Sequence, residues 1–288
     1  MCQGNSEEAM SVIDFNNYGY TGYDRVSVVN IEPNNFCNLK CDSCADDKTR
    51  PTGFITPELC EKVASQCSRK EIRLFMSGEP LFHPSIGELI KISRRYSNKV
   101  VIHTNATMLT EKKANEIIDA GLTHLSISFD GLTKEEYEGN RVGANFEEVS
   151  NNIRTFISLN KNRVHLTIQR IVKLGQEQVP LTALFSGAQF YPVIIRHSWN
   201  VKDKINGHKP ENLYEKQCFF LWNYLPILWN GDVCLCCADL NGKCIIGDAN
   251  KDSLTDIWNG PIMTDIRRRM LDRKPIPEIC SGCERYNL

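Results

Sequence analysis

No apolar run in the sequence approaches the roughly 18 residues that a membrane-spanning helix needs, and mean hydropathy is −0.34. Nor is there an excess of either charge. Across 288 residues, 34 Lys and Arg face 35 Asp and Glu, leaving a net charge of −1. A nucleic-acid binder working through a broad basic face is disfavoured on that balance. The first ten residues, MCQGNSEEAM, lack the basic, apolar, small-residue order of a signal peptide, so a cytoplasmic location is expected. Hydrophobic residues at 41% and charged residues at 24% exclude a disordered chain.

Cysteine is missing from one long stretch, 68–217, and concentrated on either side of it. Thirteen cysteines in 288 residues fall short of the roughly 8–10% of a disulfide scaffold. The number is odd and no export signal is seen, so metal or redox chemistry is the better reading. Cys37, Cys41 and Cys44 lie within eight residues. Cys218, Cys234, Cys236, Cys237, Cys244, Cys280 and Cys283 fall in the last quarter.

Between the clusters the sequence alternates. β-branched runs at 26–31, 71–75, 99–103, 124–129, 164–171 and 189–195 read as strands. Stretches at 57–67, 86–96, 111–120 and 146–159 carry apolar residues at helical spacing. Thr56 before Pro57, Ser85 and Thr110 mark helix starts, and Gly121 suits a helix end. Six strands alternating with helices predict an α/β fold, a partial six-stranded (β/α) barrel with a parallel sheet, with chemistry at the C-terminal strand ends. The polar clusters at those ends are 34–44, 77–80, 104–105, 128–131 and 196–199. After Trp199 the pattern stops, and 200–217 reads as a linker. An apolar hairpin (225–228, Asn230-Gly231, 233–237), one helix over 253–270 and a C-x2-C tail then form a small C-terminal module. The expected organisation is an N-terminal extension 1–23, a barrel 24–209 and a module 210–288.

Cys37, Cys41 and Cys44 have C-x3-C-x2-C spacing on the loop after the first strand. Three thiolates can hold three irons of a 4Fe–4S cube and leave the fourth open. A structural zinc, the alternative, prefers four ligands. With Ser77-Gly78-Glu79-Pro80, Thr104-Asn105 and the segment 126–131, this loop resembles the radical S-adenosylmethionine (SAM) enzymes over about residues 24–200. The resemblance implies that the open iron binds SAM, whose reductive cleavage yields a 5′-deoxyadenosyl radical. It implies SAM contacts at Gly78, Glu79 and Pro80, and further contacts at Asn105, Ser128 and Arg141. For Glu79 the alternative is a helix cap, and for Arg141 a solvated loop charge. Two positions depart from the family pattern. Ser43 stands where an aromatic residue often packs on adenine, leaving Phe36 or Val172 as the apolar wall. Ser77 stands where a second glycine is common.

The second cluster, with Asn230-Gly231-Asp232 and 256–259, resembles the SPASM/twitch module of a radical SAM subgroup. By that resemblance Cys218, Cys236, Cys280 and Cys283 hold one auxiliary 4Fe–4S cluster. Cys234, Cys237 and Cys244 are left over, as ligand alternates, as a hydrogen-atom donor (Cys237 in particular) or as small buried residues. Arg196 and His197 follow the sixth strand and are candidates for substrate binding and proton transfer. The resemblance implies oxidation or epimerisation of a carbohydrate or aminocyclitol, or alternatively maturation of a peptide, with a flavodoxin- or ferredoxin-type electron donor. A non-catalytic metal protein is the remaining alternative.

Overall fold

The computed structural model describes residues 22–41, 44, 49–173, 184–186, 189–195 and 218–280, with the backbone alone at 172–173, 189–195 and 219. Nine strands form one sheet in the order β6-β5-β4-β3-β2-β1-β7-β8-β9. They are β1 (Val28–Ile31), β2 (Glu71–Leu74), β3 (Val100–Thr104), β4 (His124–Ser128), β5 (His165–Lys173), β6 (Gln189–Ile195), β7 (Tyr224–Ile227), β8 (Asp232–Cys234) and β9 (Ile245–Asp248). Strands β1 to β6 pair in parallel, each with the next. The six predicted strands are thus present in an unclosed parallel sheet.

Between them lie α1 (Pro57–Ala64), α2 (Ile86–Tyr96), α3 (Glu111–Asp119), α4 (Lys134–Asn140) and α5 (Phe146–Asn160). Thr56 and Thr110 accept the Leu59 and Lys113 amides as side-chain caps, satisfying donors that a helix start leaves open. Gly121, at φ +87°, ends α3 in a left-handed turn, its amide bonded to Ile118 O.

The strand register divides the sheet by chemistry. Val29, Ile31, Ile72, Leu74, Val100, Ile102, Leu125, Ile127, Leu166 and Ile168 are all within 5% exposure and share one face by the period-two alternation of a strand. They join the apolar cluster that includes Ile86, Leu89 and Ile90 of α2. The opposite face carries Asn30, Arg73, His103, Ser126, Ser128, Thr167 and Gln169 in the matching register. One sheet face is therefore sealed by helices, while the other is a polar lumen.

The C-terminal segment contributes strands to the same sheet. Strand β7 pairs in parallel with β1 (Val28 with Tyr224, Ile31 with Ile227), then turns back onto β8, as the Asn230-Gly231 turn predicts. Strand β9 and the short α6 (Phe219–Asn223) are additions to the sequence reading. The single helix expected over 253–270 is two: α7 (Leu254–Asn259) and α8 (Pro261–Leu271). Pro261 cannot donate the amide that continuity would require, so it starts a new helix instead. Among the described residues no helix is long and apolar enough to cross a membrane.

Candidate active site

The loop after β1 is stitched to the segment after β2. The Glu79 amide donates to Phe36 O at 2.7 Å, and Asn34 Nδ2 donates to Glu79 O at 3.0 Å. Gly78 lies so close that a Cβ there would sit 2.4 Å from Asn34 O and 2.7 Å from Phe36 O. Only glycine fits this crossing of two backbones. The loop thus runs directly over the Gly-Glu-Pro rim of β2.

Cys37 and Cys41 are half-buried and Cys44 is exposed, and none of the three is in a disulfide. Asn105 Nδ2, from the end of β3, points at Cys37 Sγ at 3.8 Å and at Asn38 Oδ1 at 3.2 Å. Arg141 Nη1 points at Cys41 Sγ at 3.7 Å. Its Nη2 also pairs with Asp130 Oδ2 at 2.5 Å. Burial pushes the Cys41 thiol up, and the Arg141 charge opposes that shift. Arg141 is therefore not a solvated loop charge: its side chain is 12% exposed and sits between a carboxylate and a cysteine.

Glu79 is buried. Its carboxylate accepts Leu81 N at 3.0 Å, Thr104 Oγ1 at 2.6 Å and Asn105 N at 2.7 Å. It caps the short 3₁₀ turn at Pro80–Phe82, and three donors already occupy it. Burial nonetheless raises its pKa above the ordinary carboxylate range. The side chain thus ties β2, β3 and the turn together. Ser128 is half-buried at the end of β4, on the lumen face. Phe36 is 41% exposed, with its ring edge-on to Phe82 at 5.0 Å. It leaves an apolar face beside Cys37, whereas Ser43 and the side chain of Val172 lie outside the described residues.

In the C-terminal segment, Cys218 precedes α6, Cys236 and Cys237 follow β8, and Cys280 ends a 3₁₀ turn at Glu278–Cys280. All four are half-buried. Cys236 Sγ accepts the Ala238 amide at 3.4 Å. Cys234 is fully buried, its thiol held well above the usual range by burial and donating to Cys236 O at 3.6 Å. Cys244 is disulfide-bonded, a state the sequence reading does not anticipate. Cys60 and Cys67 are core residues, as their helical spacing predicts. Cys283, Arg196, His197, Trp199 and the linker 200–217 lie outside the described residues.

Asn30 and His103 escape a reading based on motifs, and Ser126 enters it only as part of the segment 126–131. Asn30 and Ser126 are buried on the polar face, and Asn30 Oδ1 and Ser126 Oγ have no hydrogen-bond partner among the described residues. His103 stacks on Phe75 at 3.8 Å, and burial with the nearby Arg73 charge lowers its imidazole to about 4. Polar residues inside a run of β-branched ones are the only signal the sequence offers for these positions.

The donor set suits iron–sulfur chemistry. Three cysteines outside any disulfide share one loop, two have N–H groups directed at sulfur, and a glycine crossing keeps the adjacent rim clear. Among the described residues no three His, Cys, Asp or Glu side chains are grouped to hold a single metal ion.

Comparison with known proteins defines the class. The radical SAM superfamily description matches residues 31–177, just over half of the chain. The iron–sulfur cluster-binding SPASM domain matches residues 218–284. The chain belongs to the radical SAM superfamily and is a radical SAM enzyme with a C-terminal auxiliary iron–sulfur module. Its cofactors are a SAM-binding 4Fe–4S cluster, auxiliary iron–sulfur and SAM itself.

Among its relatives, GTP 3′,8-cyclase of Chlorobaculum tepidum is 29% identical over 183 residues, covering 61% of this chain and 53% of the cyclase. The chain thus spans about half the length of that protein. S-adenosyl-L-methionine-dependent 2-deoxy-scyllo-inosamine dehydrogenase of Niallia circulans is 20% identical over 274 residues, covering 91% of this chain and 94% of that one. The crystal structure of BtrN with AdoMet and 2-DOIA superposes with a TM-score of 0.57 at 20% identity, covering 86% of this chain and 87% of BtrN. Streptococcus suis SuiB bound to precursor peptide SuiA gives 0.64 at 13% identity, covering 88% of this chain and 69% of SuiB.

Proposed function

We propose that this chain oxidises a small polyhydroxylated or amino-substituted ring by abstracting a hydrogen atom from one of its C–H bonds. The observation that carries this reading is the near end-to-end match with the inosamine dehydrogenase, over 91% of this chain and 94% of that protein. The peptide-bound SuiB is matched over 69% of its length. The chemistry of the lumen face supports the same class, since the half-buried Ser128, Thr167 and Gln169 on it are of the kind that bond hydroxyl and amino groups.

Cys37, Cys41 and Cys44 would hold the SAM-binding cluster, and Cys218, Cys236, Cys280 and Cys283 the auxiliary one. Bound together, cluster and SAM supply a 5′-deoxyadenosyl radical when an electron arrives. The protein's part is electrostatic and positional. Asn105 and Arg141 direct N–H groups at Cys37 and Cys41 sulfurs, which favours the more negative, reduced state of what those sulfurs bind. Gly78 keeps the β2 rim open, and Phe36 presents an apolar surface for the adenine. Glu79 locks that rim to β3 through Thr104 and Asn105. Cys237 is proposed as a hydrogen-atom donor, and Arg196 and His197 as substrate-binding and proton-accepting groups.

The test is isotopic. The anaerobically reconstituted protein is given SAM, dithionite and ring-deuterated 2-deoxy-scyllo-inosamine or related aminocyclitols. Deuterium in the 5′-deoxyadenosine together with a ketone product is the expected result. Deuterium transfer only from short peptides would replace this reading with peptide maturation.

A further inference from the structure

Glu32 stands at the C-terminal end of β1 with its side chain fully buried, and four donors converge on it. Arg50 Nη2 and Nη1 reach its two oxygens at 2.6 and 3.0 Å. Ser77 Oγ donates to Oε1 at 2.6 Å, and the Trp229 amide donates to Oε2 at 3.1 Å. Arg50 is itself 13% exposed. Its Nη2 also donates to Ser77 Oγ at 3.1 Å, and its Nε donates to Leu240 O at 2.6 Å.

Those partners belong to three different parts of the site. Arg50 lies six residues beyond Cys44 in the cysteine loop. Ser77 immediately precedes Gly78. Trp229 and Leu240 belong to the auxiliary module, Leu240 four residues beyond Cys236. The joint has further ties. Thr49 Oγ1 donates to Asn241 Oδ1 at 2.8 Å, and a Cβ on Gly53 would lie 2.3 Å from the Trp229 ring. Neither Glu32 nor Arg50 is a thiol, and both oxygens of the carboxylate are already taken by protein donors. A buried carboxylate with four donors is otherwise hard to account for at a strand end, since desolvating a charge pair is justified only by excellent geometry.

We propose that the Glu32–Arg50 pair is a positioning device that fixes the Cys37–Cys44 loop against the loop following Cys236, and so sets the separation between the two iron–sulfur sites. Electron transfer from the radical site to the auxiliary cluster depends on that separation, so the pair governs the coupling of hydrogen abstraction to oxidation. Ser77, at a position where the family commonly has glycine, contributes the third side-chain donor and extends the brace to the Gly-Glu-Pro rim. The proposal rests on the two-cluster reading of the site, but its first test does not need either cluster.

That test is amide hydrogen exchange in the parent, Arg50→Leu, Arg50→Lys and Glu32→Gln proteins. Exchange should rise at least about tenfold at both 49–53 and 239–243 in Arg50→Leu, while β3 to β5 keep parental protection. Arg50→Lys keeps the charge but loses the planar fork, and should fall between. In the dithionite-reduced, reconstituted proteins, the spin–spin interaction between the two reduced clusters should weaken in the same order, with iron content unchanged. Exchange rising only at 49–53, or rising uniformly across the sheet, would overturn the proposal, leaving a local brace or a general stabiliser. An unchanged spin–spin interaction beside an altered exchange pattern would also overturn it. If the reconstituted parent lacks iron, the two-cluster reading fails, while the exchange pattern still decides whether the brace exists.

Discussion

Arg141 Nη1 approaches Cys41 Sγ to 3.7 Å while Nη2 pairs with Asp130 Oδ2 at 2.5 Å. The first contact joins residues a hundred positions apart in sequence, and the two together link the cysteine loop to the segment after β4. Removing the arginine leaves Asp130 buried and uncompensated. Arg141→Ala should therefore cost about 3–5 kcal/mol in denaturant unfolding. The double variant Asp130→Asn/Arg141→Met should recover most of that loss, yet bind SAM more weakly than the parent in equilibrium dialysis.

Gly78→Ala places a methyl group 2.4 Å from a backbone oxygen of the cysteine loop. Neither backbone can yield without moving the loop. SAM cleavage should fall at least about tenfold, corresponding to a little over 1.4 kcal/mol of lost positioning, while the auxiliary cluster keeps its iron. Measuring 5′-deoxyadenosine formation beside iron content separates the two effects.

His103 titrates in the acid range because burial, and then Arg73, disfavour its charged form. With a native value of about 4 and an ordinary value near 6.5, the unfolded chain binds more protons between those limits. Its contribution to stability is complete above about pH 6.5 and is lost as the pH falls toward 4. By linkage the parent should lose about 2 kcal/mol more than His103→Phe between pH 7.5 and pH 5. Paired urea titrations at the two pH values measure this difference.

Adjacent Cys236 and Cys237 distinguish ligand from spare thiol. Cys236→Ala should remove about four irons per chain, and Cys237→Ala should remove none. Iron and sulfide analysis after reconstitution decides between them. If Cys237 is the hydrogen-atom donor, its alanine variant should still form 5′-deoxyadenosine.

The parallel alternation, the cysteine loop and the β2 rim are legible in the sequence because each depends on local periodicity or spacing. What is hidden depends on partners far along the chain. Strand β7 was readable as half of a hairpin, yet its pairing with β1 joins residues almost two hundred positions apart, and no local pattern encodes that. Nothing in the local sequence marks Glu32, because its partners Arg50, Ser77 and Trp229 are brought to it only by the fold. Asn30 and His103 were disguised by their β-branched neighbours. The helix over 253–270 was misread because amphipathic spacing continues through Pro261, although its missing amide divides the helix in two.

The most direct measurement is an iron and sulfide count on anaerobically reconstituted protein, paired with an assay for 5′-deoxyadenosine after adding SAM and dithionite. A Cys37/Cys41/Cys44 triple-alanine variant is carried alongside. The expected result is about eight irons in the parent and about four in the variant, with nucleoside formed by the parent alone. Zinc in place of iron, or no nucleoside from the fully loaded parent, would contradict it.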